Sequence, residues 1–276
     1  MSGDLFDIRD KVAIVTGGTR GLGAAISRGL AAAGARVVVS GRQQGRCDEL
    51  AEEIVHETGN EHVVGLACDV TEWDLVPAFV ERVHDRFGRI DLLVNNAGMN
   101  PPRAPLMEVD AGQVDDVIAI HVKGPLRLSA LVAEHMASAG GGAIVNVTSA
   151  SAYVGRPLGG VYALSKAALL SLSRTMAREW ARAGIRVNSI APGTFHTDIL
   201  DESERHDPGR IARYAESSPI GRIANPDEIV GTIIYLASDA SSYTTGSDLS
   251  VDGGGFTVNP PFLSSEEISG RGSMRR

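Results

Sequence analysis

Cysteine is nearly absent from this chain: Cys47 and Cys68 are its two in 276 residues. Two isolated thiols make neither a disulfide framework nor a metal cluster, which suits a reducing compartment. Long apolar runs are missing as well. No uninterrupted stretch approaches the roughly 18 to 20 residues that cross a bilayer, so no membrane helix is expected. A positive excess is also lacking. Lysine and arginine number 26 against 34 aspartates and glutamates, for a formal charge of −8 and an isoelectric point near 5.4. A nucleic-acid binder needs a basic face to displace counterions, so that partner class is set aside. The opening MSGDLFDIRDK alternates in charge and lacks the apolar core of a signal peptide. Together these absences predict a cytoplasmic protein.

What is present is a globular composition, 43% apolar and 22% charged, long enough for one large core or two small ones. Seven short branched runs read as buried strands: VAIV (12–15), RVVVS (36–40), HVVGLA (62–67), DLLV (91–94), AIVNV (143–147), IRVNSIA (185–191) and DLSV (248–251). Between them, segments such as LGAAISRGLAAAGA and WDLVPAFVERVHDRFG have helical length and close with glycine. Unbroken apolar strands alternating with helices predict an α/β fold, a doubly wound parallel sheet of Rossmann type covered on both faces. No linker rich in proline or glycine divides the alternation. One domain is therefore expected over 11–256, after a lead of residues 1–10. The polar stretch 193–224 is long enough to act as a lid over a site. The tail 257–276, rich in proline, serine and glycine, is expected to be partly mobile.

The first strand runs into TGGTRGLG (16–23) and then into a helix. Gly17, Gly21 and Gly23 permit a tight turn in which backbone N–H groups at a helix N-terminus meet phosphates. An ordinary strand-to-helix turn is the plainer reading. Its position at the carboxyl edge of the sheet favours a dinucleotide. The second strand ends SGRQ, so no carboxylate stands where one would bind the adenine ribose hydroxyls and repel a 2′-phosphate. Arg42 follows Gly41, and Arg20 lies in the glycine turn. Either the two are solvated surface arginines, or they grip a phosphate; the second favours NADP over NAD.

YALSK (162–166) places a tyrosine four residues ahead of a lysine inside a helical run. The two share one face, a turn apart. Either this is surface decoration or it is chemistry.

TGGTRGLG, CDV (68–70), NNAG (95–98), Ser149, YALSK and APG (191–193) occur in one order along the chain. This ordered set resembles the short-chain dehydrogenase/reductase family, over nearly everything from Lys11 to Phe256. The resemblance implies a seven-stranded, one-domain subunit that forms homotetramers or dimers. It implies a cofactor site of Gly17, Thr19, Arg20, Gly21, Leu22, Gly23 and Arg42. Asp69 and Val70 would lie near the adenine, and Asn96, Ala97 and Gly98 beside the ribose. Pro192, Gly193, Thr194, Phe195 and Thr197 would line the nicotinamide amide. Tyr162 would be the acid/base and Lys166 its activator, both also touching the cofactor. Ser149, thirteen residues before Tyr162, would orient the carbonyl oxygen.

The physical demand on that pair stands apart from the resemblance. A phenol titrates near 10, so work near neutrality requires a drop of about three units, or roughly 4 kcal/mol. A positive charge about 4 Å away supplies ~1 kcal/mol in water and ~4 at an intermediate dielectric. The cleft must be dry.

Many relatives carry an asparagine in the fourth helix whose main-chain carbonyl holds a water in a proton relay. Here AIHVKG (119–124) puts His121 in that place. Either His121 props the same kink, the favoured reading, or its imidazole joins the relay. His56, His62, His84 and His135 fall on charged segments expected to be solvated, and His196 and His206 lie on the expected lid. No spacing supports a metal ligand set, and none is predicted. The expected activity is hydride transfer between nicotinamide and the carbon of a secondary alcohol or ketone. Its substrate is a small molecule left open among 3-oxoacyl thioesters, sugars or polyols, and steroids. The alternative is a cofactor-binding regulator or scaffold with the same fold and little turnover.

Overall fold

Unbroken runs of branched apolar residues are satisfied by burial on both faces, and the fold supplies it for the central strands. A computed structural model, which describes residues 4–155 and 157–255, contains β1 Val12–Thr16, β2 Arg36–Gly41, β3 Val63–Ala67, β4 Leu92–Asn95, β5 Gly142–Val147, β6 Ile185–Pro192 and β7 Asp248–Val251. All seven lie within one residue of the runs read from sequence. They form a single parallel sheet in the order β3-β2-β1-β4-β5-β6-β7. Phe256 and the tail 257–276 lie outside the described residues.

Alternation along β1 sorts its side chains into two cores. Ala13 and Val15 face Ile26 and Leu30 of α1 Gly21–Ala32, Ile54 of α2 Gln44–Thr58 and Ile233 of α9 Val230–Ala237. Val12 and Ile14 join Phe79 and Val83 of α3 Val76–Phe87, Leu128 and Met136 of α5 Gly124–Ser138, and Met176 of α6 Gly160–Trp180. Glycines in the left-handed region, Gly59 at φ 70° and Gly88 at φ 74°, stop α2 and α3. Strand order reverses between β1 and β4, which leaves a crevice at their carboxyl ends.

A helix α4 Ala111–Ile118 runs into α5 through a turn of π-helix, Ala119–Lys123. The stretch expected as a lid holds α7 Asp198–His206 and α8 Arg210–Ser217. Its base is tied shut. Phe195 bridges Ala224, the His196 N–H donates to the Ala224 carbonyl at 2.8 Å, and Gly193 N–H donates to Val251 at 3.0 Å. The segment is thus a two-helix excursion on a closed neck.

Edge strand β7 opens with a carboxylate in poor surroundings. The Thr148 hydroxyl oxygen lies 3.5 Å from Asp248 Oδ1, yet it donates its single proton to the Ile190 carbonyl, 2.8 Å away. Oδ2 of Asp248 is buried with no hydrogen-bond partner. Burial pushes this carboxyl up to about 6 from an ordinary value of 3.8. The folded chain therefore holds a proton that the unfolded chain has lost, so this site favours folding below pH 4 and loses that advantage as pH rises through 6. Asp248→Asn should melt about 2–4 °C above the parent at pH 8, with the gap closing near pH 4. Melting curves that stay parallel across that range would refute the assignment.

Candidate active site

Most of the residues singled out in the sequence converge on the crevice because they follow the carboxyl ends of strands. Gly17, Thr19, Arg20, Gly21, Leu22 and Gly23 form the turn from β1 into α1; Arg42 follows β2, and Asp69 and Val70 follow β3. Asn96, Ala97 and Gly98 follow β4, Ser149 follows β5, and Pro192 closes β6 ahead of Gly193, Thr194, Phe195 and Thr197.

Contact forces the glycine turn to be glycine. Gly17 sits at φ 59°, and a Cβ there would lie 2.8 Å from Ala97 Cα; one on Gly23 would lie 2.1 Å from the Gly17 carbonyl oxygen. The turn is locked to β4 by Thr16, which the sequence reading did not single out. Its hydroxyl accepts from the N–H of Asn96 at 3.0 Å and Ala97 at 3.1 Å and donates to the Val94 carbonyl at 3.2 Å. Asn96 returns the tie through Nδ2 to the carbonyls of Thr16 and Gly17 at 2.9 and 3.1 Å. A Cβ on Gly21 would touch the Thr197 methyl at 3.5 Å, so the segment after β6 reaches across to this turn. Helix α1 begins with no side-chain cap and no acidic residue in its first turn. Its first N–H groups and positive dipole end suit an anion, so the residues fit the pyrophosphate of a dinucleotide. Arg20 and Arg42 are both exposed. Asp69 is turned partly inward on its own loop, where Oδ1 accepts from Thr71 N–H at 3.0 Å and its hydroxyl at 2.8 Å.

Tyr162 and Lys166 lie on the first turns of α6, with the ammonium 5.8 Å from the centre of the phenol ring. Lys166 is 5% exposed. Nζ donates to the Val147 carbonyl at the end of β5, 2.9 Å away. Burial, with no carboxylate partner among the described residues, brings this amine down to about 8. Ser149 caps the short turn Ala150–Ala152, its oxygen accepting from Ser151 N–H at 3.1 Å. The cap uses a lone pair and leaves the hydroxyl proton to donate elsewhere.

His121 is 1% exposed and engaged at both ring nitrogens. Met99 N–H donates to Nε2 at 3.1 Å, so Nε2 must be the unprotonated nitrogen. Nδ1 then carries the hydrogen and donates to the Ser165 hydroxyl at 2.8 Å, which donates in turn to the Tyr162 carbonyl at 2.8 Å. The ring also meets that of Tyr162 edge-on, with centroids 5.5 Å apart. Burial, and then the Lys166 charge, pull this imidazole down to about 3. One neutral tautomer thus joins the loop after β4 to the turn bearing Tyr162. Met99 also lines a cleft of about 390 Å³ with Pro102, Asp110 and Gln113. Pro125, four residues past His121, has no N–H, so the ordinary helical donor to the His121 carbonyl is missing and a π-turn forms there.

Beneath these groups runs a buried polar ladder that sequence reasoning missed. Asn95 Nδ2 donates to the Ser129 hydroxyl at 2.9 Å and to Asn146 Oδ1 at 2.8 Å, and Asn146 Nδ2 donates to the Ser173 hydroxyl at 2.8 Å. It joins β4 and β5 to α5 and α6, and each bond contributes about 1 kcal/mol net. Asn146 inside the apolar run AIVNV and Asn95 just after DLLV were its trace in the sequence.

A family model described as enoyl-(acyl carrier protein) reductase matches residues 17–256. The cis-4-hydroxycyclohexanecarboxylate dehydrogenase of Sinomonas cyclohexanicum is 39% identical over 246 residues, covering 89% of this chain and 96% of that one. The chain belongs to the short-chain dehydrogenase/reductase family. It is a nicotinamide-dependent alcohol dehydrogenase/ketoreductase of that family. D-Threitol dehydrogenase of Mycolicibacterium smegmatis, another family member, is 38% identical over 90% of this chain and 95% of its own. The solved structure of a gluconate 5-dehydrogenase from Burkholderia cenocepacia, in complex with NADP and tartrate, superposes with a TM-score of 0.87. That enzyme is 35% identical, over 92% of this chain and 98% of its own.

The two-nitrogen engagement of His121 has a direct spectroscopic consequence. Nitrogen-15 shifts of its imidazole should report the Nδ1–H tautomer with no inflection from pH 8 down to pH 5. A titration near 6.5 would show that one of the two hydrogen bonds is absent.

Proposed function

We propose that the enzyme interconverts a secondary alcohol and a ketone on a polyol or sugar acid, with NADP preferred over NAD. The observation that carries the chemistry is the buried Lys166 ammonium, fixed to the end of β5 and held over the ring of Tyr162. Nicotinamide, when bound, supplies or accepts the hydride. Tyr162 passes the proton to or from the substrate oxygen, and Lys166 favours the phenolate. Ser149, its oxygen already committed as a cap acceptor, donates its hydroxyl hydrogen to the developing oxyanion. His121 acts as a positioning residue. Its neutral ring holds Tyr162's turn and the Met99 backbone together, and its main-chain carbonyl, which lacks an i+4 donor because residue 125 is proline, is the relay acceptor in this reading.

The substrate class rests on relatives named for D-threitol, gluconate and 2-dehydro-3-deoxy-D-gluconate. Cofactor preference rests on Gly41 closing β2 where a carboxylate would repel a 2′-phosphate, on exposed Arg20 and Arg42, and on the NADP seen in related structures. The same reading takes the chain as one domain over 11–256 and as a cytoplasmic homo-oligomer, a tetramer before a dimer. Among the described residues no helix is long and apolar enough to cross a membrane.

Tyr162→Phe should lower kcat at least 10³-fold on a panel of polyols and sugar acids while NADP affinity changes little. Turnover near the parent's would remove the phenol from the reaction. Arg42→Ala should raise KM for NADP about tenfold and leave KM for NAD nearly unchanged. Equal cofactor use by both proteins would end the case for NADP.

A further inference from the structure

The sequence places His84 and His135 on charged segments expected to be solvated, but the fold packs them against each other. Helices α3 and α5 lie side by side over one core, with Val80 and Val83 on the first and Val132 and Met136 on the second. That floor brings the two imidazoles, 51 positions apart in the chain, into a stack with centroids 4.4 Å apart and planes 29° from parallel. Only 20% of the His135 side chain is exposed. Its Nε2 stands 3.3 Å from Oε1 of Glu81, which lies on α3 one turn before His84. On that same face Glu81, His84 and Asp85 each present a donor atom, all within 4.8 Å of one another.

We propose that His84 and His135, with Glu81 and Asp85, form a site for a divalent transition metal of the zinc class that pins α3 to α5. Two imidazoles from the ends of separate helices, one grouped with Glu81 and Asp85 and the other 3.3 Å from Glu81, make a borderline donor set. Zinc, cobalt and nickel take such a set, whereas calcium and magnesium prefer oxygen alone. A tetrahedral ion with bonds of about 2.1 Å keeps its ligand atoms roughly 3.4 Å apart. The Glu81 to His135 separation of 3.3 Å already has that spacing. The remaining closure requires rotation of side chains whose helices are anchored in the core. A net charge of −8 raises the local concentration of cations around the chain. The site is separate from the candidate active site. His135 lies fourteen positions past His121, about 20 Å along the helical run. Without a metal, the same residues form a His135–Glu81 hydrogen bond beside a ring stack, and the two readings differ in what they bind.

The test uses the full chain without a polyhistidine tag, stripped with a chelator and dialysed, then titrated with zinc chloride against a chromophoric zinc indicator. His84→Asn and His135→Gln keep polar bulk on the helices, and all other histidines remain as common background. The parent is expected to bind one zinc ion per chain at low micromolar concentration, and each variant to bind at least tenfold more weakly. Zinc should also raise the melting temperature of the parent by several degrees and leave His135→Gln unmoved, while magnesium moves neither. Equal zinc binding by parent and His135→Gln, or no uptake by the parent at 100-fold excess, would overturn the site.

Discussion

A single ammonium group, with no counter-ion among the described residues, organises the candidate active site. Lys166 enters the protein interior on helix α6 and finds one carbonyl, that of Val147 at the last position of β5. Isolated charge in such a place is unfavourable, and the amine responds by giving up its proton more easily. The same unmet demand makes it a partner for anything negative that develops nearby. A phenolate on Tyr162 and the hydroxyls of a cofactor ribose both answer that need. A salt bridge to a resident carboxylate would have stabilised the lysine and disabled it.

Precision around this group comes from paired backbone and side-chain locks. Thr16 and Asn96 tie the glycine turn to the end of β4, while the asparagine and serine ladder fixes β4 and β5 against α5 and α6. His121 adds a strut between the loop after β4 and the turn that carries Tyr162. Each lock joins elements that pack side by side but lie distant along the chain. A neutral imidazole serves here because one of its nitrogens accepts while the other donates, so it can join an N–H to a hydroxyl. Protonation would spoil the Met99 contact, and the burial that lowers its basicity protects that geometry.

Much of this was legible beforehand. Valines and isoleucines in short unbroken runs marked the strands, because a strand covered on both faces has no position where polarity is tolerated. That Tyr162 and Lys166 share one face was legible from helical periodicity, and their candidate role from the resemblance of the ordered motifs. Gly17 and Gly23 were legible as turn formers, although the reason they cannot carry a side chain, contact with Ala97 and with their own turn, lies in the folded loop. The tautomer of His121 was not legible. It is set by Met99 and Ser165, 22 and 44 positions away. Nor was the pairing of His84 with His135, since hydrophilic neighbours in sequence say nothing of which helix packs alongside.

The sequence by itself determined the order of elements, the parallel sheet, and which residues arrive at the carboxyl edge, because these follow from periodicity, turn chemistry and the handedness of crossovers. Tertiary structure alone decided protonation and partnership: which nitrogen of His121 holds its hydrogen, how poorly Lys166 and Asp248 are solvated, and that Ser149 already serves as a cap. Such properties depend on distances between groups that the chain brings together only after folding. Local pattern carries no information about the dielectric or the donors a side chain will meet there.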